Sequence, residues 1–119
     1  MTTLLILKLS IPLIILSVWL IRPNSITKFR GGNAKTLKEE FHFYGLNSAT
    51  FYLVGTIKIV LSLLLIMSIW NENLLLYSSL GIATLMLCAT FFHLRSKDSL
   101  TKTSPSFILF VLSLFIAVN

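Results

Sequence analysis

Lys58 stands near the middle of an apolar run, residues 49–70, that is long enough to cross a bilayer. An ammonium at that depth costs a few kcal/mol even on the lenient insertion scales, so a partner group, a water-filled cavity or a ligand must offset it. Gly55, Lys58 and Ser62 recur at i, i+3, i+7 and form one stripe of small and polar groups. Tyr77, Gly81, Thr84 and Cys88 form a second stripe on the next apolar run. Such stripes either pack two helices closely or line an inward-facing cavity with Lys58 as its charged determinant. No carboxylate lies at similar depth in any span, so Lys58 must use carbonyls, hydroxyls, water or an anionic head group, or stay uncharged.

His93 falls near the end of the third apolar run, and His42 lies in a connector that emerges on the same side. Their nearness at one mouth would allow proton transfer or metal binding. Two histidines without a carboxylate at fixed spacing are a poor metal set, and a paired haem set needs histidines on facing spans. His93 is therefore expected to hydrogen-bond at the bundle mouth. The candidate cavity residues are Lys58, Ser62, Thr84, His93 and His42; no catalytic or metal-binding residue is predicted. Cys88, the one cysteine, forms neither an internal disulfide nor a CxxC pair, which excludes a self-contained thiol oxidoreductase. A hydrolase triad and a phosphate-cradling glycine loop are both missing from the sequence.

These residues need a membrane-embedded scaffold. Hydrophobic residues make up 55% of the 119 and charged residues 12%, with mean hydropathy +0.88. A water-soluble domain carries roughly a quarter charged residues, so this chain lacks the polar surface of a soluble globule. Four spans are expected, at residues 3–21, 49–70, 74–94 and 103–118, in a single membrane domain. The first span holds Pro12, expected to kink it, and Lys8, close enough to one end to snorkel. Lys8 inside the apolar stretch and Arg22-Pro23 after it read as a retained helix and not as a cleaved signal peptide. The turn 71–73 is so short that the second and third spans must be antiparallel neighbours. The fourth span is short, and needs Pro105 in its first turn to approach bilayer length.

The connector 22–48 is too long for a simple hairpin loop. Gly31-Gly32 reads as a flexible break, and Asn33 as the N-cap of a short amphipathic helix over 34–44. There Leu37, Phe41 and Tyr44 share one face, while Lys35, Lys38, Glu39 and His42 lie elsewhere. The pattern suits a helix in the interface or folded over the bundle mouth. Basic residues concentrate in this connector (Arg22, Lys28, Arg30, Lys35, Lys38) and in the third one (Arg95, Lys97, Lys102), with none in the middle turn. The positive-inside rule places both basic connectors in the cytoplasm and both termini outside, against a small opposing bias from Lys8. The net charge of +6 is thus an orientation signal and a contact for anionic lipid heads. It is not a nucleic-acid footprint, because no basic face combines with exposed stacking aromatics.

Several strings together resemble one family. They are residues 41–46 (FHFYGL), Tyr52-Leu53-Val54-Gly55 with Lys58, Ile69-Trp70, Leu85-Met86, His93-Leu94, and Lys97-Asp98-Ser99-Leu100 followed by Lys102 and Ser104-Pro105. In order and spacing, over essentially the whole chain, they look like the DoxX-like family of small four-helix membrane proteins. The resemblance implies a compact all-α bundle. Its relatives include a subunit of an archaeal thiosulfate:quinone oxidoreductase and members linked to oxidative-stress complexes. Many carry glutamate at the position matching Lys58, and a subset shares the lysine.

The expected protein is an all-α, membrane-embedded four-helix bundle with a short amphipathic helix between spans one and two, in a bacterial inner (plasma) membrane. Its expected role is that of an accessory or subunit component of a membrane complex, redox or stress related, and not catalytic alone. The alternative is a small transporter, or a quinone- or lipid-binding protein using the Lys58 cavity. A drug/proton antiporter fits less well, because its coupling needs a carboxylate in the spans. The expected partners are membrane lipids and a membrane-bound or soluble oxidoreductase. No resident cofactor is predicted; a quinone is the candidate small molecule.

Overall fold

The computed structural model describes residues 2–22, 30–32 and 34–118, and the expected cap Asn33 lies outside the described residues. The helices are α1 (Thr2–Leu16), continued by a π-helical turn over Ser17–Ile21; α2 (Leu37–Phe43); α3 (Ser48–Met67); α4 (Leu75–Arg95), entered through a 3-10 turn at Glu72–Leu74; and α5 (Leu100–Val118). Four of them, Thr3–Ile21, Ser48–Met67, Glu72–Arg95 and Leu100–Val118, are long and apolar enough to cross a membrane. They pack in a closed ring, α1 on α3, α3 on α4, α4 on α5 and α5 on α1, while α2 lies against α3. The protein is therefore an all-α four-helix membrane bundle, as the composition and spans imply.

Its seams follow from the membrane solvent. Lipid gives apolar side chains little reason to gather inside, so close approach of small residues holds spans together. Ser62, Ser78, Ser79 and Ser113 are fully buried beside the core of Ile11, Ile15, Leu65, Ile82, Met86, Leu109 and Ile116. Ser78 and Ser79 donate to carbonyls one turn back, Leu74 O at 2.7 Å and Leu75 O at 2.6 Å, which neutralises their polarity inside the helix. Thr90 instead donates across the α4–α5 seam to Ser106 Oγ at 3.0 Å. Leucine, isoleucine, valine and phenylalanine cover the outer faces, as a lipid-facing surface requires.

Three boundaries differ from the sequence reading; the second span ends at Met67, and Ser68 to Trp70 form a turn outside it. The last span starts at Leu100 and not at residue 103, passing through Pro105. Proline there removes the amide that would bond the Thr101 carbonyl; the Ser104 hydroxyl donates to that carbonyl at 3.0 Å and allows the helix to run on. The connector helix is shorter than 34–44. Its N-cap is Thr36, in a reciprocal capping box with Glu39.

Both helices that border the mouth end in the same way. After α2, Gly45 (φ 83°) reverses the chain, with Gly45 N–H bonded to His42 O and Leu46 N–H to Phe41 O. After α4, Lys97 does so at φ 58°, with Lys97 N–H on Leu94 O and Asp98 N–H on His93 O. This six-to-one, five-to-two pairing is a Schellman end, which glycine favours because the left-handed region costs a side chain about 1–2 kcal/mol. Replacing Lys97 with glycine is therefore expected to stabilise the protein, by about 0.5–1 kcal/mol after the extra unfolded-chain entropy is counted. A higher thermal midpoint in detergent for Lys97→Gly, with Lys97→Ala unchanged, checks this; a lower midpoint for the glycine variant would refute it.

Candidate functional site

The buried face of α3 carries Phe51, Gly55, Lys58, Ser62 and Leu65, and Lys58 is only 9% exposed. Its ammonium lies 5.3 Å from the centroid of the Trp19 ring, a cation–π distance. It lines a cavity of about 290 Å³ inside the ring of helices. Ile15, Met86 and Leu109 make the apolar wall; Arg22, Arg30, Glu40, His93 and Lys102 make the polar end. Trp19 reaches this position from the π-helical turn, and the missing side chain of Gly55 gives the indole its seat.

The spans hold no carboxylate at the depth of Lys58, as expected, but the connector supplies one that sequence reasoning left out, Glu40. The short helix α2 folds over the bundle mouth, with Leu37 and Tyr44 buried, and this turns Glu40 inward beside them. Glu40 attracts Lys58 electrostatically, sits 3.5 Å from His93 Nε2 and 4.0 Å from the Arg30 guanidinium, and accepts a hydrogen bond from the Gly31 amide. The other imidazole nitrogen, Nδ1, lies 2.9 Å from Asp98 Oδ2 and 2.8 Å from the Tyr44 hydroxyl. Tyr44 donates to the same Asp98 oxygen at 2.8 Å, and the Gly32 amide donates to Asp98 Oδ1 at 3.1 Å. An ionised Asp98 only accepts, so the consistent arrangement has Nδ1–H donating to Asp98 and Nε2 turned to Glu40. The chain Asp98–His93–Glu40 thus runs from the mouth into the cavity.

Its two carboxyl groups are tuned in opposite directions. Burial raises Glu40 above the ordinary carboxylate range, although His93, Arg30, Lys58 and the Gly31 amide pull the other way. Burial also pushes Asp98 upward, but hydrogen bonds from Tyr44, Gly32 and His93 outweigh it and hold Asp98 low. Tyr44 is raised, by burial first and then by donating to Asp98, so it remains a phenol at neutral pH. His93 thus stands between a carboxyl held low, Asp98, and one raised by burial, Glu40.

Further hydrogen bonds cross the mouth around this chain. Lys102 donates to the Gly32 carbonyl, Arg95 to the Tyr44 carbonyl at 3.0 Å, and Arg30 to the Arg22 carbonyl at 2.8 Å. Gly31 and Gly32 are not a flexible break. A Cβ on Gly31 would lie 2.1 Å from the Tyr44 hydroxyl, and Gly32 holds φ 55° to aim its amide at Asp98.

The other sequence candidates separate. Ser62 is fully buried one turn below Lys58, outside the cavity wall, and its hydroxyl has no partner among the described residues. Thr84 is exposed and donates to Leu80 O at 2.9 Å; it faces lipid and not the cavity. The buried face of α4 runs through Ser78, Ile82, Met86, Thr90 and His93, and the 3.6-residue period sets Tyr77, Thr84 and Cys88 on the opposite side. Of that stripe, Gly81 packs against Leu61 of α3. His42 is exposed, with its ring 3.4 Å from Ser48 Oγ, so it is not the imidazole partner of His93. Among the described residues no group of three or more His, Cys, Asp or Glu is placed to hold a metal. Sequence reasoning missed Trp19, Glu40, Tyr44 and Asp98 as site residues. One signal pointed to Glu40: it follows Leu37 by three residues and precedes Tyr44 by four, on their helical face.

Asp98 sets a pH dependence. Its folded pKa lies below its unfolded value, so its contribution is complete above about pH 4 and is lost as the pH falls through the folded value. Below about pH 4 the mouth is expected to loosen, seen as faster amide exchange over residues 37–44, and Asp98→Asn should show that faster exchange already at pH 7. Unchanged exchange in Asp98→Asn would overturn this role.

No curated protein and no solved structure matches the chain. A model of the DoxX-like family matches residues 13–116, a stretch that includes every member of the polar chain and three spans in nearly full length. With its four apolar helices, the chain therefore belongs to the DoxX-like family of small membrane proteins.

Proposed function

We propose that this protein is an accessory component of a membrane complex that holds the polar head of a lipid-soluble molecule, a quinone or an anionic lipid, in the Lys58 cavity. One observation carries the reading: a buried ammonium lines the cavity and has no hydrogen-bond acceptor among the described residues. A charge so placed favours an oxygen-bearing ligand that supplies the missing acceptor. Around it, Arg22, Arg30 and Lys102 outnumber the single carboxylate of Glu40, which selects for electron-rich or negatively charged heads. The cavity volume, about 290 Å³, is at the lower end of small-molecule sites, so it fits a head group and leaves a tail outside. Glu40, raised by burial, gives the ligand a group with which to exchange a proton. Electron transfer belongs in this reading to an oxidoreductase partner, membrane-bound or soluble, in keeping with the redox subunit that the family resemblance implies among its relatives.

The same reading places the basic connectors on the cytoplasmic face of a bacterial plasma membrane. Its support is that both connectors meet at one end, through Gly32–Asp98, Lys102–Gly32 and Arg95–Tyr44, so their cations add on one side.

Trp19 borders the cavity, and quenching of its fluorescence reports occupancy. A short-chain quinone analogue and a short-chain anionic phospholipid are the two probes. Lys58→Met is expected to weaken binding of the responding probe at least about tenfold while leaving the fold intact or slightly more stable, since a buried charge is removed. Full affinity in Lys58→Met would refute the site. For orientation, Lys35→Cys in a Cys88→Ser background should react with an impermeant thiol reagent only after cells are opened. Labelling in intact cells would reverse the topology.

A further inference from the structure

A second hollow, of about 340 Å³, lies beside the first, between α3, the π-helical turn after α1 and Lys38 of α2. Phe51, Gly55 and Ile59 form its floor, and Tyr52 and Thr56, both exposed positions of a spanning helix, turn it toward the bilayer. Lys38 marks its polar end, with Nζ 3.5 Å from the Tyr52 hydroxyl and 5.2 Å from that ring's centroid. Of the residues lining the two hollows only Trp19 is common to both. The indole is thus the partition between a lipid-facing groove and the cavity that holds Lys58.

The partition is held differently from the mouth. Opening the mouth breaks a set of charged and neutral hydrogen bonds at Glu40, Tyr44, His93, Asp98, Arg95 and Lys102 together. Trp19 is held by ring packing, with Phe41 at 5.7 Å and Phe51 at 5.1 Å, and by the Lys58 ammonium above it. A single half-buried ring turns in far less time, and with fewer lost contacts, than a hydrogen-bonded lid opens. Two local features serve that movement. The indole rides on a π-helical turn, a geometry frequent at functional sites. It also lies on Gly55, where even a Cβ would come within 2.5 Å of the ring.

We propose that the Lys58 cavity is filled sideways from the bilayer, with the lipid-facing groove as the receiving site and Trp19 as the gate. This rests on reading the cavity as a ligand site, and it narrows the ligand class to amphipathic molecules dissolved in the membrane. The head passes Trp19 to reach Lys58, and the tail stays in the groove against Phe51 and Ile59. A water-soluble anion has no tail to place in the groove and is disfavoured as the ligand.

Reagent access tests the route without needing the natural ligand. In a Cys88→Ser background reconstituted in liposomes, the thiol of Lys58→Cys should react faster with N-phenylmaleimide, which partitions into lipid, than with a charged impermeant thiosulfonate, each rate taken relative to that reagent's rate with a free thiol in water. Adding Trp19→Ala should speed the maleimide reaction about tenfold and leave the thiosulfonate reaction unchanged, because only the lateral barrier is removed. Trp19→Phe, a milder cut, should give a smaller acceleration and serves if the alanine variant does not fold. A maleimide rate indifferent to both substitutions, or a faster thiosulfonate rate in the unsubstituted Trp19 protein, would overturn the lateral route. A maleimide rate that follows Trp19, together with quinone or phospholipid binding that ignores Lys58, would uphold the route and overturn the ligand reading alone.

Discussion

The arrangement depends on one buried ammonium. Translocon scales put a lysine at the centre of a span at about 2.5–3.5 kcal/mol, and isolated-helix estimates run higher. A cation–π contact returns about 0.5–2 kcal/mol, so the Trp19 ring alone does not balance Lys58. Glu40, delivered from outside the spans by α2, attracts the ammonium as well. Trp19 must be aimed at Lys58, Gly55 must make room for Trp19, and α2 must lie across the mouth to bring Glu40 in. The π-helical turn, the glycine and the folded connector are thus three consequences of a single charge.

Asp98 is the fixed point of the mouth. It binds Tyr44 from the end of α2, His93 from α4 and the amide of Gly32 from the connector. Its position is decided locally, because the Schellman end at Lys97 swings the chain back beneath His93. Charge-assisted hydrogen bonds are worth about 1.5–3 kcal/mol each, so such a set holds α2, α4 and the connector together at the mouth. The flank between the π-helical turn and α3 has only aromatic packing in the corresponding place. That contrast directs motion, and with it ligand passage, toward the lipid side.

The sequence identifies the spans, because apolar length against bilayer thickness is a one-dimensional criterion. It also places Lys58 inward, since the helical period sets it in line with Gly55 and Ser62, away from the leucine- and isoleucine-rich faces. The same periodicity argument failed on α4. The stripe through Thr84 looked small and polar, yet the buried face is the one holding Ser78, Ser79, Thr90 and His93, and Thr84 turns to lipid. Hydroxyls that bond their own helix are cheap in lipid, so side-chain polarity alone does not tell the two faces apart.

The sequence by itself determined the solvent, the number of spans, the side shared by the basic connectors and the need to neutralise Lys58. Each of these follows from composition or from neighbours within one helix. Only the tertiary structure decided what meets Lys58 and His93. Tyr44 and His93 are 49 residues apart, and Tyr44 and Asp98 are 54 apart. Glu40 joins the lining of the Lys58 cavity only because its helix lies down across the mouth. Such meetings depend on the path of a connector with no periodicity of its own to read. They are decided by how the caps, the glycines and the left-handed turn at Lys97 close the chain over the bundle.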